Sequence, residues 1–415
     1  MNTKEPSQSE INSLISLVSR GKFHEALDSI QALSKNYPED SLLYNIKGAS
    51  YAGLGQLASA VKSYEKSISI DPNYARAHYN LGDAYHLQNK YNESVRSYEK
   101  SIEIDPDFAE AYNNLGNVYR ENGQHDQSAI NYEKALIIKS DFVEAHYGLG
   151  IVFHEIGQLE YMIDHLEKVV NIQPNLAEAH NLTGVGLEEL GRLDESVKSY
   201  QTAVKIDPNF SEAYNNLGNT LKKLGRLDEA VKSYQKALEI SPDFPALHNN
   251  LGNAFKELGQ LDDALKSYKD ALSYNPDFPD SLSNLGIIYF KLGQLEKSVQ
   301  FYEKAIKINP IFKEAYNNLG NAFKRLNQFD KAVAAYKKAI EINPNFFDAY
   351  NSLGLILATD SSLLHQAVES FEKAIDINPN FAIAHNNLAH VFRDLNKPDD
   401  AIKSYQKAIK LNPEF

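Results

Sequence analysis

The side chains best placed to do chemistry in this sequence are asparagines. Residues 113–117 read Asn-Asn-Leu-Gly-Asn, and the same five residues return at 215–219, 249–253 and 317–321. A carboxamide carries two N–H donors and a carbonyl acceptor. A row of them can therefore hydrogen-bond the backbone of an extended peptide whatever its side chains. Each good bond contributes about 0.5–1.5 kcal/mol net. Asparagine is also a poor helix former, so three of them around a Leu-Gly pair need a reason other than propensity.

Other chemistry is thinly supplied. There is no phosphate-binding Walker sequence, no dinucleotide fingerprint after a strand and no GxSxG elbow. Without cysteine there are no disulfides and no thiolate metal sites. His24 and His154 each open a His-Glu dipeptide, but neither has the second histidine of a zinc-protease helix. Five of the twelve histidines, His78, His146, His180, His248 and His385, recur at one position in separate segments, which favours packing over metal binding. Asn92 and Asn181 begin glycosylation sequons inside helical segments, where coincidence is the better reading. The expectation is a chain with no catalytic site, no metal and no cofactor.

The formal net charge of −13 argues against nucleic acid, which needs clustered Lys and Arg. The acidic excess is greatest in 143–278, and 279–415 is near neutral. No stretch of about 20 apolar residues exists to span a membrane. The polar start has no apolar signal core, so a cytoplasmic protein is expected.

The asparagines are positioned by a period. Glycines at 48, 82, 116, 150, 184, 218, 252, 286, 320 and 354 are 34 residues apart, and a second series lies seven residues after the first. In 109–142, Tyr112, Leu115, Gly116 and Tyr119 form one helical stripe. Gly123 marks a left-handed stop, and Asn89, Asn327 and Asn396 stand at the same place in other units. Ser128, Tyr132 and Ala135 form a second stripe, with Gly116 and Ser128 small where the two helices meet. Prolines such as Pro72, Pro106 and Pro208 end each unit. The Asn or Asp after the proline is expected to cap the next helix, and the following aromatic to pack under the junction. One such hairpin cannot bury both faces alone, but stacked hairpins can.

These residues resemble tetratricopeptide repeats over essentially the whole chain. Leu115, Gly116, Tyr119, Tyr132, Ala135 and the linker prolines carry the likeness, while Tyr or His stands where that family often has tryptophan. The implied fold is all-α, a right-handed α-α superhelix of about twelve helical hairpins with a concave inner groove. A disordered tail is expected over 1–6 and a degenerate, polar capping repeat over 7–40. Eleven repeats follow at 41–74, 75–108, 109–142, 143–176, 177–210, 211–244, 245–278, 279–312, 313–346, 347–381 and 382–415. Repeat 143–176 is irregular, with Met162, Leu166 and Val169 at altered core positions and Ser140 for the preceding proline, so a softer joint is expected. Repeat 347–381 holds one extra residue in a turn, which the stack should survive. Ile402, Tyr405 and Ile409 lie near an uncovered end, open to a partner, a further domain or self-association.

Each first helix is counted from the residue after the linker aromatic. Positions 4, 7, 8 and 11 then face the packing, and 2, 5, 6, 9, 12 and 13 make the other stripe. In the resembled family that other stripe lines the groove. Position 6 holds Asn80, Asn114, Asn216, Asn250, Asn284, Asn318 and Asn387; position 9 holds Asn117, Asn219, Asn253 and Asn321. Position 5 adds Asn113, Asn215, Asn249, Asn317, Asn351 and Asn386. Lys222, Lys256, Lys324 and Arg325 nearby would draw acidic ligand side chains, whereas Glu110, Glu144, Glu178, Glu212 and Glu314 at position 2 would draw basic ones. Gly148, Leu182 and Ser352 interrupt the row, so contacts should concentrate in 211–346.

The pattern is similar to the superhelical arm of the O-linked N-acetylglucosamine transferases, whose groove asparagines hold acceptor polypeptides. The expected function is a non-catalytic scaffold that binds an extended peptide or disordered segment. The alternative is the substrate-recruiting arm of a larger glycosyltransferase whose catalytic domain is not in this chain.

Overall fold

A computed structural model describes residues 6–414. Of the tail expected over 1–6, residues 1–5 lie outside the described residues, as does Phe415. The described residues form α-helices with one short 3-10 turn and no strand. None of these helices is long and apolar enough to cross a membrane.

The chain divides into two compact units, Met1–Pro208 and Asn209–Phe415. The first begins with α1 (Gln8–Ser19), α2 (Phe23–Asn36), α3 (Ser41–Gly53), α4 (Leu57–Ile70), α5 (Ala75–His86) and α6 (Tyr91–Ile104). It continues with α7 (Ala109–Glu121), α8 (His125–Ile138), α9 (Val143–Glu155), α10 (Leu159–Ile172), α11 (Ala177–Glu189) and α12 (Leu193–Ile206). The second begins with α13 (Ser211–Lys223), α14 (Leu227–Ile240), α15 (Pro245–Glu257), α16 (Leu261–Tyr274), α17 (Pro279–Lys291) and α18 (Leu295–Ile308). It ends with α19 (Lys313–Arg325), α20 (Phe329–Ile342), α21 (Phe347–Leu357), α22 (Leu364–Ile377), α23 (Ala382–Asp394) and α24 (Pro398–Leu411). Within each unit every odd helix pairs with the next even one, and that hairpin stacks on the following hairpin.

The hairpin α7–α8 shows why the sequence folds this way. Gly123 has φ +72°, and the amide of Gln124 donates to the carbonyl of Tyr119 at 2.8 Å, closing the helix end. Asn89, Asn327 and Asn396 do the same work at φ 57–58°. At the crossing, a Cβ on Gly116 would fall 2.8 Å from Cε1 of Tyr132. The Ser128 hydroxyl donates to the Gly116 carbonyl at 2.8 Å, so the small pair is both a contact and a bond. Tyr132 is fully buried against it, as are its counterparts Tyr98, Tyr200, Tyr234, Tyr268, Tyr302 and Tyr336.

The linkers correct one expectation. The Asn or Asp after the proline does not cap the next helix; the N-cap is the aromatic, with no side-chain cap bond. The residue before the proline closes the corner instead. Asp71 Oδ1 accepts from the Asn73 amide at 3.0 Å, and Asn343 Oδ1 from the Asn345 amide at 2.9 Å. This is a short side-chain turn that mimics a backbone turn. The aromatic packs under the junction at Phe108 and Phe142, but Phe244 is 55% exposed. The recurring histidines latch the same corner. A ring nitrogen of His78 lies 3.0 Å from the Pro72 carbonyl, and His180, His248 and His385 repeat the contact with Pro174, Pro242 and Pro379.

The irregular hairpin α9–α10 is filled rather than void. Met162, Leu166 and Val169 are fully buried. Opposite Met162 stands Gly186, where a Cβ would meet Sδ at 2.8 Å, so the added volume is matched by a missing side chain. The extra residue after α21 is absorbed by the 3-10 turn Ser361–Leu363, and Gly354 still meets Phe371 as other glycines meet tyrosine. At the start, Ser7 and Glu10 form a capping box on α1.

Candidate functional site

The asparagines at positions 6 and 9 are all half-buried and on first helices, but they are not a bare surface. Each position-9 carbonyl accepts a tyrosine hydroxyl from the second helix of its own hairpin. Tyr132 donates to Asn117 at 2.6 Å, Tyr234 to Asn219 at 2.7 Å, and Tyr268 and Tyr336 to Asn253 and Asn321 at 2.9 Å. Burial pushes the phenol pKa of Tyr132, Tyr268 and Tyr336 up, so each hydroxyl keeps its proton and stays a donor. The carboxamide is thereby fixed with its carbonyl inward and its amide nitrogen on the opposite side.

Position 6 has the reverse polarity. Its amide donates backward to position 5 of the preceding hairpin: Asn80 to Asn45, Asn250 to Asn215 and Asn387 to Asn351 at 2.9 Å, and Asn284 to Asn249 at 3.0 Å. Asn114 finds the Tyr79 hydroxyl there, at 2.8 Å. Asn318 makes no side-chain hydrogen bond among the described residues, because Ser283 stands at the preceding position 5. Asn216 is half-buried and engaged. Position 5 was expected on the exposed stripe, but Asn113, Asn249 and Asn351 are buried. Asn249 and Asn351 are inter-hairpin acceptors, a role that the one-helix stripe cannot reveal.

The repeating hairpin is matched by family as well as by geometry. Residues 48–89, 82–123, 116–157, 187–225, 218–259, 252–293 and 287–327 match the TPR repeat, and 314–346, 335–369 and 382–415 match the tetratricopeptide repeat. The chain belongs to the tetratricopeptide repeat family. Among curated relatives, a peroxisomal targeting signal receptor of Candida glabrata is 35% identical over 60 residues, 14% of this chain and 10% of the receptor. That of Candida albicans is 36% identical over 61 residues, again 10% of its length. The matched segment thus spans about a tenth of those receptors. The crystal structure of the APC/C hetero-tetramer Cut9-Hcn1 covers 92% of this chain and 89% of its own at TM-score 0.50 and 14% identity, which shows the solenoid fold. The crystal structure of MamA is 27% identical over 40% of this chain and 95% of its own, at TM-score 0.36. Membership supports a protein-interaction scaffold.

In these tetratricopeptide repeats a column of polar contacts to glutamate joins the last turns of successive first helices. His86 meets Glu121 at 2.8 Å, Arg120 meets Glu155 at 3.4 Å, and His154 meets Glu189 at 2.9 Å. In the second unit Lys222 meets Glu257 at 3.7 Å. The column then fails, because Lys291 stands where the acidic partner of Lys256 would be. Lys256 turns instead to the carbonyls of Asn253 at 3.2 Å and Asn284 at 3.0 Å. Burial lowers its pKa, and Lys222 and Lys291 nearby lower it further against the opposing pull of Glu257. Burial also lowers that of Lys324. The guanidinium of exposed Arg325 lies 5.1 Å from the Phe290 ring centroid. The structure therefore brings Lys256, Lys324 and the asparagines onto one stripe, beside cations that lack the partner the column supplies elsewhere. The tyrosines that orient the asparagines were legible as core but not as donors.

Proposed function

We propose that this chain is a non-catalytic scaffold that binds an extended peptide or disordered segment along the stripe of positions 6 and 9, chiefly over α13–α19. The observation that carries it is the opposed orientation of the carboxamides. Tyrosine hydroxyls hold the position-9 carbonyls, which leaves amide donors turned outward. Inter-hairpin bonds hold the position-6 amides, which leaves the Asn250 carbonyl as an acceptor, while the Asn284 carbonyl carries Lys256 into the stripe. A peptide backbone offers the same alternation of C=O and N–H, so pre-oriented partners lose little entropy on binding. The unbalanced Lys256, Lys291, Lys324 and Arg325 favour acidic side chains in that segment over basic ones. The same stripe would serve as the recruiting arm of a larger glycosyltransferase, for which the asparagine pattern is the sole support.

Asn318 gives the cleanest test, since removing its side chain breaks no internal hydrogen bond. Dodecapeptides selected from a random library on the wild-type chain should bind Asn318→Ala and Asn318→Ala/Asn253→Ser several-fold more weakly, with the Asn318→Ala melting curve unchanged. Affinities equal within error for both variants would sink the ladder.

A further inference from the structure

The row of inter-hairpin bonds breaks where position 6 is not asparagine, and two of these breaks leave a mark. Where position 6 is Gly148 instead of asparagine, the preceding Asn113 Oδ1 has no hydrogen-bond partner; where it is Ser352, Asn317 Oδ1 has none. At Asn113 the orphan is deep, since the residue is only 6% exposed. Its orientation is set by a chain of bonds. Tyr98 and Asn114 both donate to Asp83 Oδ1, the latter at 2.9 Å, and Asn114 Oδ1 in turn accepts from Asn113 Nδ2 at 3.1 Å. The Asn113 carbonyl is thus left facing away, where the missing asparagine would have donated.

A cavity of about 650 Å³ opens at this gap, inside the first unit, and Asn113 lines it. Arg120 lines it too, and its Nε–H is buried without a partner. Asn117 is a third wall, its carbonyl taken by Tyr132 and its amide left over. The site therefore presents one unmet acceptor beside two donors, and a buried polar group left without its bond is unfavourable. Val143, Ile151 and Leu176 supply an apolar wall. Position 9 is Ile151 here, so this repeat replaces both ladder asparagines with something a ligand can fill.

We propose that this cavity is a recognition pocket for a carboxamide side chain, glutamine or asparagine, of a bound peptide. Its N–H₂ donates to Asn113 Oδ1, replacing the absent position-6 asparagine, and its carbonyl accepts from Arg120 Nε and Asn117 Nδ2. The methylenes lie along the apolar wall. A carboxylate has no donor for Asn113 and meets Glu144 and Glu178, which line the same cavity. An ammonium has no acceptor for Arg120. An aliphatic side chain leaves all three groups unpaired. The inference rests on the peptide-binding reading and adds a specificity that the backbone ladder cannot have.

Four random dodecapeptide pools, with one central residue fixed as Gln, Glu, Lys or Leu, are titrated against the full chain. The Gln pool should bind about tenfold more tightly than the others, the scale of one satisfied buried polar pair. That preference should vanish in Asn113→Leu and in Arg120→Lys, with the folded state of each verified by melting. Pools that bind equally, a preference for Glu, Lys or Leu, or a Gln preference that survives both variants overturns the pocket while the peptide reading stands. Binding by no pool overturns both.

Discussion

Asn387 Nδ2 lies 2.9 Å from Oδ1 of Asn351, its neighbour one hairpin earlier, and Asn351 is buried. Two asparagines that look like surface in one dimension are a seam between repeats in three. Asn387→Ala leaves a buried carbonyl unpaired and should destabilise the second unit by about 1–3 kcal/mol. Urea unfolding checks this. Adding Asn351→Leu should restore part of the loss, so the pair is non-additive; a strictly additive double variant contradicts the seam.

Glycine tolerance should sort by neighbour. A Cβ on Gly252 would lie 2.6 Å from Cε1 of buried Tyr268, so Gly252→Ala should cost about 1–3 kcal/mol. At Gly186 the neighbour is the Met162 thioether, a flexible end that can move, and Gly186→Ala should cost less. Gly259 has φ +76° and open space, so Gly259→Asn should be close to neutral, as Asn327 at φ 57° shows, while Gly259→Ala is strained. Thermal melts of the variants rank them.

A pH effect is expected in α9–α10. His146 Nδ1 lies 3.0 Å from His165 Nδ1, and the other His146 nitrogen lies 3.1 Å from the Ser140 carbonyl. One proton fits between the two rings; a second sets N–H against N–H. Burial holds the His146 pKa down and takes that of His165 to about 4, with Lys168 also opposing charge and Asp164 favouring it. The unfolded side chains titrate near 6.5. Between about 6.5 and 4 the unfolded state therefore binds more protons, and stability falls as pH drops through that window. Denaturation midpoints at pH 7 and pH 5 should differ in that sense, and hydrogen-exchange protection factors over 136–176, taken relative to the intrinsic rate at each pH, should fall at pH 5. His165→Phe, which keeps the stack on Phe153, should flatten the dependence.

Charge on the second unit should select ligands. Lys291→Glu rebuilds the pairing seen between Lys222 and Glu257 and removes the excess around Lys256. Acidic peptides should then bind about tenfold more weakly, in line with rim-charge effects, and with a shallower salt dependence. Calorimetric titration at two ionic strengths reads both. An unchanged salt slope removes the cations from the site.

The period of 34 made the hairpins legible, because Gly116, Ser128 and Tyr132 are local determinants whose positions keep a small or aromatic residue in most units. Helix ends were legible for the same reason, since a left-handed residue such as Gly123 or Asn327 is a property of one position. What the asparagines do was not. The partner of Asn387 is Asn351 and the partner of Asn219 is Tyr234, and each pair is made by the angle at which one helix meets another. A single helix shows only which side a carboxamide leaves from, whereas its donor and acceptor ends are told apart by what stands opposite. The empty acceptor on Asn113 follows from the same rule, for it depends on Gly148 in the next hairpin. Sequence determined the repeat and its faces; tertiary packing decided which end of each asparagine remains for a ligand, because hydrogen bonds between hairpins are directional and the helical stripe is not.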